Sequence, residues 1–293
     1  MAMNQPGSSS PLGSPPQPKL LSGVKNIIAV ASGKGGVGKS TVAVNSAMAL
    51  AQTGASVGLM DTDIYGPSLP LMMGICQKPT ADPSTGLLTP LEKHGLRLMS
   101  MGFVSDEKTP VIWRGPMVHK MITAFIGQVD WGPLDYLVLD LPPGTGDAQL
   151  TITQTAPLTG AIIVTTPQDV SLIDARKGLL MFQQVNVPVL GIVENMSYFL
   201  CDACGKRHEI FSYGGGRRTS EELGVPFLGE VPLDPKVTRG GDQGDPVVIS
   251  APDSPASKTL REIALKVIAQ LEATASQRVS LPTLELTGLG QSN

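Results

Sequence analysis

The feature that most constrains the fold is the glycine-rich stretch SGKGGVGKST at residues 32–41, between an apolar run and a helical pattern. Gly33, Gly38, Lys39 and Ser40 satisfy the spacing G-x-x-x-x-G-K-[ST]. Glycines let the backbone wrap around phosphates with its amides pointing inward, and the N-terminus of the following helix adds its dipole. The lysine reaches the β- and γ-phosphates, and the serine hydroxyl ligates Mg²⁺. The stretch therefore predicts a nucleotide site.

Short apolar runs alternate with longer helical patterns along most of the chain. The predicted strands are 26–32, 56–61, 96–103, 135–140, 160–166, 187–195 and 225–232. The predicted helices are 39–54, 115–129, 147–156, 169–184, 216–223 and 254–274. This alternation predicts an α/β fold with a mostly parallel sheet and helices on both faces. We expect one P-loop domain at 23–274, between a disordered leader at 1–22 and a disordered tail at 275–293.

The composition indicates which classes of partner and which cellular compartment to expect. The net charge of −3 gives no bulk attraction to nucleic acid or to an anionic membrane, so neither is an expected partner. Three cysteines among 293 residues fit a reducing compartment rather than a disulfide framework. No apolar run is long enough for a membrane span. We expect a cytoplasmic protein, from bacteria in the first instance, with an organellar matrix as the alternative.

Acidic and amide side chains follow three of the predicted strands. Asp140 ends the apolar run of DYLVLD, a Walker B pattern, and is expected to hold Mg²⁺. Asp61 and Asp63 share one side of the chain if LMDTD stays extended, and Asp61 is expected to be a second Mg²⁺ residue. Helix capping is the alternative role for such carboxylates. Asn195 ends the run VLGIVEN, where an Asx turn is the alternative to a nucleotide contact.

Cys201 and Cys204 form a C-x-x-C pair in YFLCDACGKRHEIF, a segment whose pattern around 198–211 favours a hairpin. From the residues alone, four interpretations stay open. The pair is a redox dithiol, part of a zinc site with His208 and Cys76, two structural thiols, or half of a site completed by symmetry. A two-fold dimer would bring together the four thiolates that a 4Fe–4S cluster requires. Cys76 is otherwise expected to be a buried free thiol.

The phosphate loop resembles the deviant Walker A sequence of the nitrogenase iron protein, MinD and ParA class, because Lys34 follows its first glycine. The resemblance implies a SIMIBI-type P-loop NTPase that works as a homodimer. Lys34 then acts on the partner's nucleotide, much as an arginine finger does. By the same resemblance, Asp63 positions or activates the attacking water and Asn195 reads the adenine base. The implied nucleotide contacts in the loop are Gly33, Lys34, Gly35, Gly36, Val37, Gly38, Lys39, Ser40 and Thr41.

Seven segments together resemble the Mrp/ApbC family of iron–sulfur cluster carrier ATPases, which includes the mitochondrial NUBPL proteins. They are SGKGGVGKST, DTDIYGPS, WRGPM, DYLVLDLPPGTGD, TTPQDV, VENMSYFLCDACG and LGEVPLD. The resemblance covers residues 23–272. It implies an ATPase whose Cys201 and Cys204 bind a 4Fe–4S cluster shared between two protomers and pass it to apo-proteins.

Two other functions compete with the carrier. The first is a positioning ATPase of the MinD/ParA type, which needs a basic patch or a terminal amphipathic helix. Arg278 is the one cation after residue 275, so the C-terminal sequence does not supply that patch. The second is a nucleotide switch stabilised by zinc, without cluster chemistry.

Overall fold

The structure is a computed structural model that describes residues 21, 23–104 and 115–279. The strands are β1 (Val24–Ala31), β2 (Val57–Asp61), β3 (Leu91–Lys93), β4 (Leu96–Ser100), β5 (Leu134–Asp140), β6 (Gly160–Thr165), β7 (Val189–Glu194), β8 (Phe199–Leu200), β9 (Arg207–His208) and β10 (Phe227–Glu230). The helices are α1 (Lys39–Ala51), α2 (Leu69–Met72), α3 (Met101–Val104), α4 (Gly115–Gly127), α5 (Asp147–Thr155), α6 (Asp169–Gln184), α7 (Gly215–Leu223), α8 (Pro235–Gln243), α9 (Val247–Ser250) and α10 (Pro255–Val279).

Eight strands form one sheet in the order β10-β7-β6-β1-β5-β2-β4-β3. Every neighbouring pair is parallel except β3 with β4. Right-handed crossovers run from β1 to β2 in one direction along the sheet and from β6 to β7 in the other, so α1 and α6 cover opposite faces. The predicted α/β fold with a mostly parallel sheet is confirmed.

The apolar runs form strands because the sheet is covered on both faces. All six residues of β6 and all five of β2 are buried, as expected for strands between two helical layers. The helix α1 is buried along most of its length and packs against α10 as well as against the sheet. In the described residues, no helix is long and apolar enough to cross a membrane.

Two predicted boundaries are wrong for local reasons. The strand predicted at 96–103 ends at Ser100, whose hydroxyl accepts a hydrogen bond from Gly102 N at 3.0 Å and starts α3. The last helix was predicted to end at 274, but it continues to Val279. Residues 275–279 therefore belong to α10 and not to a disordered tail, because Ala, Gln and Arg sustain a helix where apolar periodicity has faded. The predicted leader, apart from Leu21, and the remaining tail at 280–293 lie outside the described residues.

A matched pair of leucine substitutions tests the core. Leu59 in β2 has no exposed surface, whereas Leu265 on α10 is 57% exposed. We expect Leu59→Ala to lower the free energy of unfolding by about 2–5 kcal/mol, because it removes buried contacts and leaves a cavity. Leu265→Ala should change it by under about 0.5 kcal/mol. Urea unfolding followed by circular dichroism measures both changes in the free energy of unfolding. Equal effects of the two substitutions would contradict the burial of Leu59 in the core.

Candidate nucleotide site and cysteine hairpin

The carboxyl ends of three adjacent strands define the candidate nucleotide site. The parallel register sets Asp61 of β2 opposite Asp140 of β5, and Asp140 opposite Val30 of β1. The phosphate loop begins directly after β1 and ends where α1 starts. In doubly wound sheets, ligands bind at this edge of the sheet, at the point where the strand order reverses. Here the reversal occurs at β1, which lies between β6 and β5.

Two glycines of the phosphate loop are required by close contacts. A Cβ atom at Gly33 would collide with the backbone of Asp174 in α6. Gly38 has a φ of 78°, which favours glycine, and a Cβ atom there would collide with the side-chain amide of Asn195. The loop is therefore fixed against α6 on one side and against the end of β7 on the other.

Lys39 and Asp140 form a buried ion pair at the centre of the site. Lys39 Nζ lies 2.5 Å from Asp140 Oδ1 and 3.3 Å from Ser40 Oγ, and the two charged residues are only 7% and 3% exposed. Burial raises the pKa of Asp140, and the Lys39 ammonium opposes that shift. The ammonium is thus surrounded by the hydroxyl and carboxylate oxygens that a hard cation prefers. Ser40 and Asp140 fit the predicted Mg²⁺ site on this observation.

Asp61 organises the segment that follows β2. Its carboxylate accepts hydrogen bonds from Asp63 N at 3.0 Å, Ser68 N at 3.1 Å, Leu69 N at 3.2 Å and Ser100 Oγ at 3.1 Å. Burial, together with the Asp140 carboxylate, raises the pKa of Asp61 to about 7, while the backbone hydrogen bonds oppose the shift. The structure shows Asp61 as the residue that fixes this loop. Its Mg²⁺ role stays a prediction.

The segment that holds Asp61 and Asp63 does not stay extended, so the condition for their side chains to share one side is not met. The bond from Asp63 N to the Asp61 carboxylate turns the chain immediately after β2. Asp63 is only half-buried, and its Oδ1 accepts hydrogen bonds from Tyr65 N at 3.1 Å and Gly66 N at 3.2 Å. The two carboxylates therefore have different surroundings, one enclosed by the fold and the other at the rim of the site.

Asn195 lies beside the phosphate loop, and its contact with the base stays a prediction. Its side-chain amide donates to the carbonyl of Val37 at 2.9 Å, and its own N–H donates to Thr165 O at 2.8 Å. Asn195 and Thr41 line one cavity of about 220 Å³. The opposite wall is Leu233, Asp234 and α8, which the sequence analysis missed. The available signal was Asp234 before Pro235, a capping residue followed by proline at the first helical position.

The predicted hairpin is present and carries both cysteines between its strands. Phe199 pairs with His208 and Leu200 with Arg207 in the antiparallel ladder of β8 and β9. Cys201 is half-buried and Cys204 is exposed. The N–H groups of Cys204 and Ala203 hydrogen-bond the Cys201 sulfur and lower its pKa, which favours the thiolate that binds metal.

The single-chain zinc site and the buried thiol find no support. Within residues 23–104 and 115–279, no group of three or more His, Cys, Asp or Glu side chains is arranged to hold a metal ion. Cys76 is exposed, which corrects the expectation that it is buried. Ile75 is the last buried residue of this segment, and residues 76–78 after it are exposed.

Further contacts tie the hairpin to the sheet. The Arg207 guanidinium lies 3.9 Å from the centre of the Tyr198 ring and pairs with Glu230 of β10 at 3.0 Å. Glu230 also pairs with Arg217 of α7 at 3.5 Å.

Sequence reasoning also missed Glu194, which is fully buried at the end of β7. The available signal was an acidic residue ending an otherwise apolar strand.

Comparison with known proteins identifies the family. Residues 23–268 match the family described as the NUBPL iron-transfer P-loop NTPase, within the ParA group. The chain belongs to this family. It is 54% identical to the iron-sulfur cluster carrier protein of Synechocystis over 264 residues, covering 89% of this chain and 75% of that protein. It is 49% identical to the mouse iron-sulfur cluster transfer protein NUBPL over 261 residues, covering 88% of this chain and 82% of that protein.

Two solved structures share the fold of this chain. A nucleotide-binding protein from Archaeoglobus fulgidus in complex with ADP is 39% identical and has a TM-score of 0.68, over 77% of this chain and 88% of that one. The cell division ATPase MinD from Pyrococcus furiosus is 23% identical with a TM-score of 0.64, over 84% of this chain and 99% of that one. The MinD likeness shows the fold alone.

The raised pKa of Asp61 predicts a pH dependence of stability. The pKa is about 7 in the folded chain and 3.8 for an ordinary Asp, so the folded state binds more protons between these values. Stability from this group is greatest at low pH and falls as the pH rises from about 4 to about 7. We expect Asp61→Asn to be less stable than wild type, by an amount that shrinks over that range.

Urea unfolding without nucleotide or Mg²⁺ at a series of pH values measures this difference. Ser100→Ala is the matched control, because it removes one hydrogen bond to Asp61 but leaves the carboxyl group to titrate. Its stability difference from wild type should vary much less with pH. If the free energy of unfolding varies with pH in the same way for Asp61→Asn and wild type, the raised pKa of Asp61 is refuted.

Proposed function

We propose that this chain is an ATP-hydrolysing carrier that binds a 4Fe–4S cluster between two copies of itself and transfers it to apo-proteins. The observation that carries the proposal is the pair of cysteines on a hairpin that begins at Phe199, three residues after Met196 of the 220 Å³ cavity. The relatives named as iron–sulfur cluster carrier and transfer proteins support it. In the described residues, one chain offers two hairpin thiols, whereas a 4Fe–4S cluster takes four ligands.

A two-fold dimer supplies the missing ligands. The same surface then faces itself across the axis, so Cys201 and Cys204 of each protomer contribute two thiolates. The hydrogen bonds from Cys204 N and Ala203 N favour the thiolate form of Cys201 that the cargo requires. Recipient apo-proteins take the cluster by exchanging their own thiolates for these, one at a time. Exposed thiols need a reducing compartment, so we assign the chain to the cytoplasm or to an organellar matrix.

The residues of the nucleotide site have separate tasks in ATP binding and hydrolysis. Lys39 exchanges its contact with Asp140 for the β- and γ-phosphates, whose oxygens bear the charge that the ammonium needs. Ser40 and Asp140 would then hold Mg²⁺, which supplies positive charge to the phosphate oxygens. Thr41 and Asn195 contact the nucleotide from the 220 Å³ cavity, with Asn195 reading the base. Asp63, at the rim of the site, orients the attacking water.

Lys34 completes the site of the partner. It is half-buried beside the first glycine of the loop, and its carbonyl accepts a hydrogen bond from Ser32 Oγ at 2.9 Å. A cation from the second protomer at the γ-phosphate would stabilise the charge of the transition state, as an arginine finger does. Hydrolysis then depends on the closed dimer that also brings the four cysteines together, which couples ATP to cargo loading or release.

Anaerobic reconstitution with iron and sulfide tests the cargo. Wild type should take up about two irons per chain as a dimer and develop visible charge-transfer absorption. Cys201→Ala and Cys204→Ala should each lose both signals, because the cluster loses two of its four ligands. Cys76→Ala is the matched control and should behave as wild type. Stoichiometric zinc without iron in wild type would overturn the carrier and favour a zinc-stabilised switch.

Mixing variants tests the action of Lys34 on the partner's nucleotide. Lys39→Ala should abolish nucleotide binding, and Lys34→Ala should retain binding but hydrolyse ATP about 10³-fold more slowly. An equimolar mixture should regain part of the rate, because the Lys39→Ala chain still presents Lys34 to the nucleotide on its partner. Each variant alone, at the same total concentration, is the control. No recovery in the mixture, once heterodimers are detected by tagged pull-down, would contradict the trans role.

A further inference from the structure

A fully buried carboxylate directly precedes two residues of the 220 Å³ cavity, Asn195 and Met196, and the cysteine hairpin follows these. Glu194 ends β7 and has no exposed surface. Its Oε1 accepts a hydrogen bond from Ser197 Oγ at 2.6 Å, and its Oε2 accepts one from Gly216 N in α7 at 2.5 Å. A Cβ atom at residue 216 would crowd this carboxylate, so the helix approaches closely only with glycine there. A buried carboxylate costs stability unless it is hydrogen-bonded, so these two contacts fix its place.

The first contact leads along the chain to β8. Ser197 is fully buried, and its N–H donates to Val231 O at 3.0 Å. The next residue, Tyr198, accepts from Leu233 N at 2.7 Å and directly precedes β8. Leu233 is also a wall of the 220 Å³ cavity. The base of the hairpin is therefore bound to the same segment that lines the 220 Å³ cavity.

The second contact leads through α7 to β9. Gly216, bound to Glu194, precedes Arg217, which pairs with Glu230 at 3.5 Å. Glu230 in turn pairs with Arg207 of β9 at 3.0 Å, and Arg207 stacks on the ring of Tyr198. Both strands of the hairpin are thus connected to Glu194, one through the backbone and the other through ion pairs.

The nucleotide side of Glu194 holds a strained residue. Asn195 follows Glu194 and binds the phosphate loop through Val37 O. Met196 comes next, lines the cavity, and has a φ of 53°, a left-handed conformation that residues other than glycine rarely adopt. A ligand in the cavity would contact Met196 and Leu233, which are joined to Ser197 by the chain and to Tyr198 by the hydrogen bond from Leu233 N.

We propose that Glu194 is a positioning residue that transmits nucleotide occupancy to the cysteine hairpin. It holds Ser197 and α7 as one unit, so that a nucleotide in the cavity shifts both strands of the hairpin together and shields Cys201 and Cys204. Without this carboxylate, the hairpin moves independently of the cavity. The inference rests on the proposed function, since it concerns the regulation of the same cysteine site.

Thiol labelling of the full-length chain tests the inference without any metal. In a Cys76→Ser background, iodoacetamide alkylation of Cys201 and Cys204 is followed by mass spectrometry with and without a non-hydrolysable ATP analogue. We expect the analogue to slow alkylation about fivefold or more. In Glu194→Ala, the analogue should still bind, because Asn195 is held by Val37 and Thr165, but the rate should no longer change.

Two further variants separate positioning from stability. Glu194→Gln should retain the response, because its amide oxygen accepts from Gly216 N and its amide nitrogen donates to Ser197 Oγ. Glu221→Ala, which removes an exposed carboxylate of α7, should also retain it. If Glu194→Ala does not fold, Ser197→Ala breaks the first connection alone and should weaken the response.

Three results would overturn the inference. They are a full response in Glu194→Ala, no response in wild type with the analogue bound, and loss of analogue binding in both Glu194 variants. The last result would assign Glu194 to the nucleotide cavity itself. Because the assay needs no iron, a chain that shows the response but loads no cluster would retain this inference and lose the proposed function.

Discussion

The buried ion pair of Lys39 with Asp140 joins the phosphate loop to the strand beside it, and the remaining geometry of the site depends on it. Taking two charges out of water is unfavourable, and such a pair adds little net stability over apolar side chains of similar size. Its value lies in holding a cation and a carboxylate ready at 2.5 Å in the place where phosphates and Mg²⁺ would take over their partners. The parallel register of β1, β5 and β2 makes this possible, because it brings three strand ends to one edge.

The two aspartates after β2 show how one short segment divides its tasks. Asp61 is enclosed, accepts four hydrogen bonds and holds the loop. Asp63 extends from that loop toward the rim with its second carboxylate oxygen left for other contacts. A carboxylate that orients water needs solvent access and a fixed backbone. For the water-orienting role proposed for Asp63, Asp61 would supply the fixed backbone and the turn between them would supply the access.

Local chemistry explains what the sequence could and could not predict. The phosphate loop, Asp140 and the hairpin follow from spacing and turn chemistry within about ten residues, so they were predictable. The exposure of Cys76 and the wall formed by Asp234 depend on which segments meet in space, whereas the capping of α3 by Ser100 is a local contact with Gly102 that the apolar pattern concealed. Glu194 illustrates the same limit. Its hydrogen bond with Gly216 forms only because α7 packs on the end of β7, so the sequence alone did not predict its two partners, Ser197 and Gly216.

The cysteine hairpin is too small to fix the two thiols by itself. Its ladder contains two residue pairs, and an isolated hairpin is marginal in water even when it is longer. Its order therefore comes from the body of the protein, through the stacked Arg207 and the connections to Glu194 and Leu233. Of these residues, Leu233 lines the 220 Å³ cavity, and Glu194 directly precedes Asn195 of the same cavity. Under the proposed function, a nucleotide that moved the segment around Leu233 would also move the base of the hairpin, so the attachment of the hairpin would itself be the means of coupling.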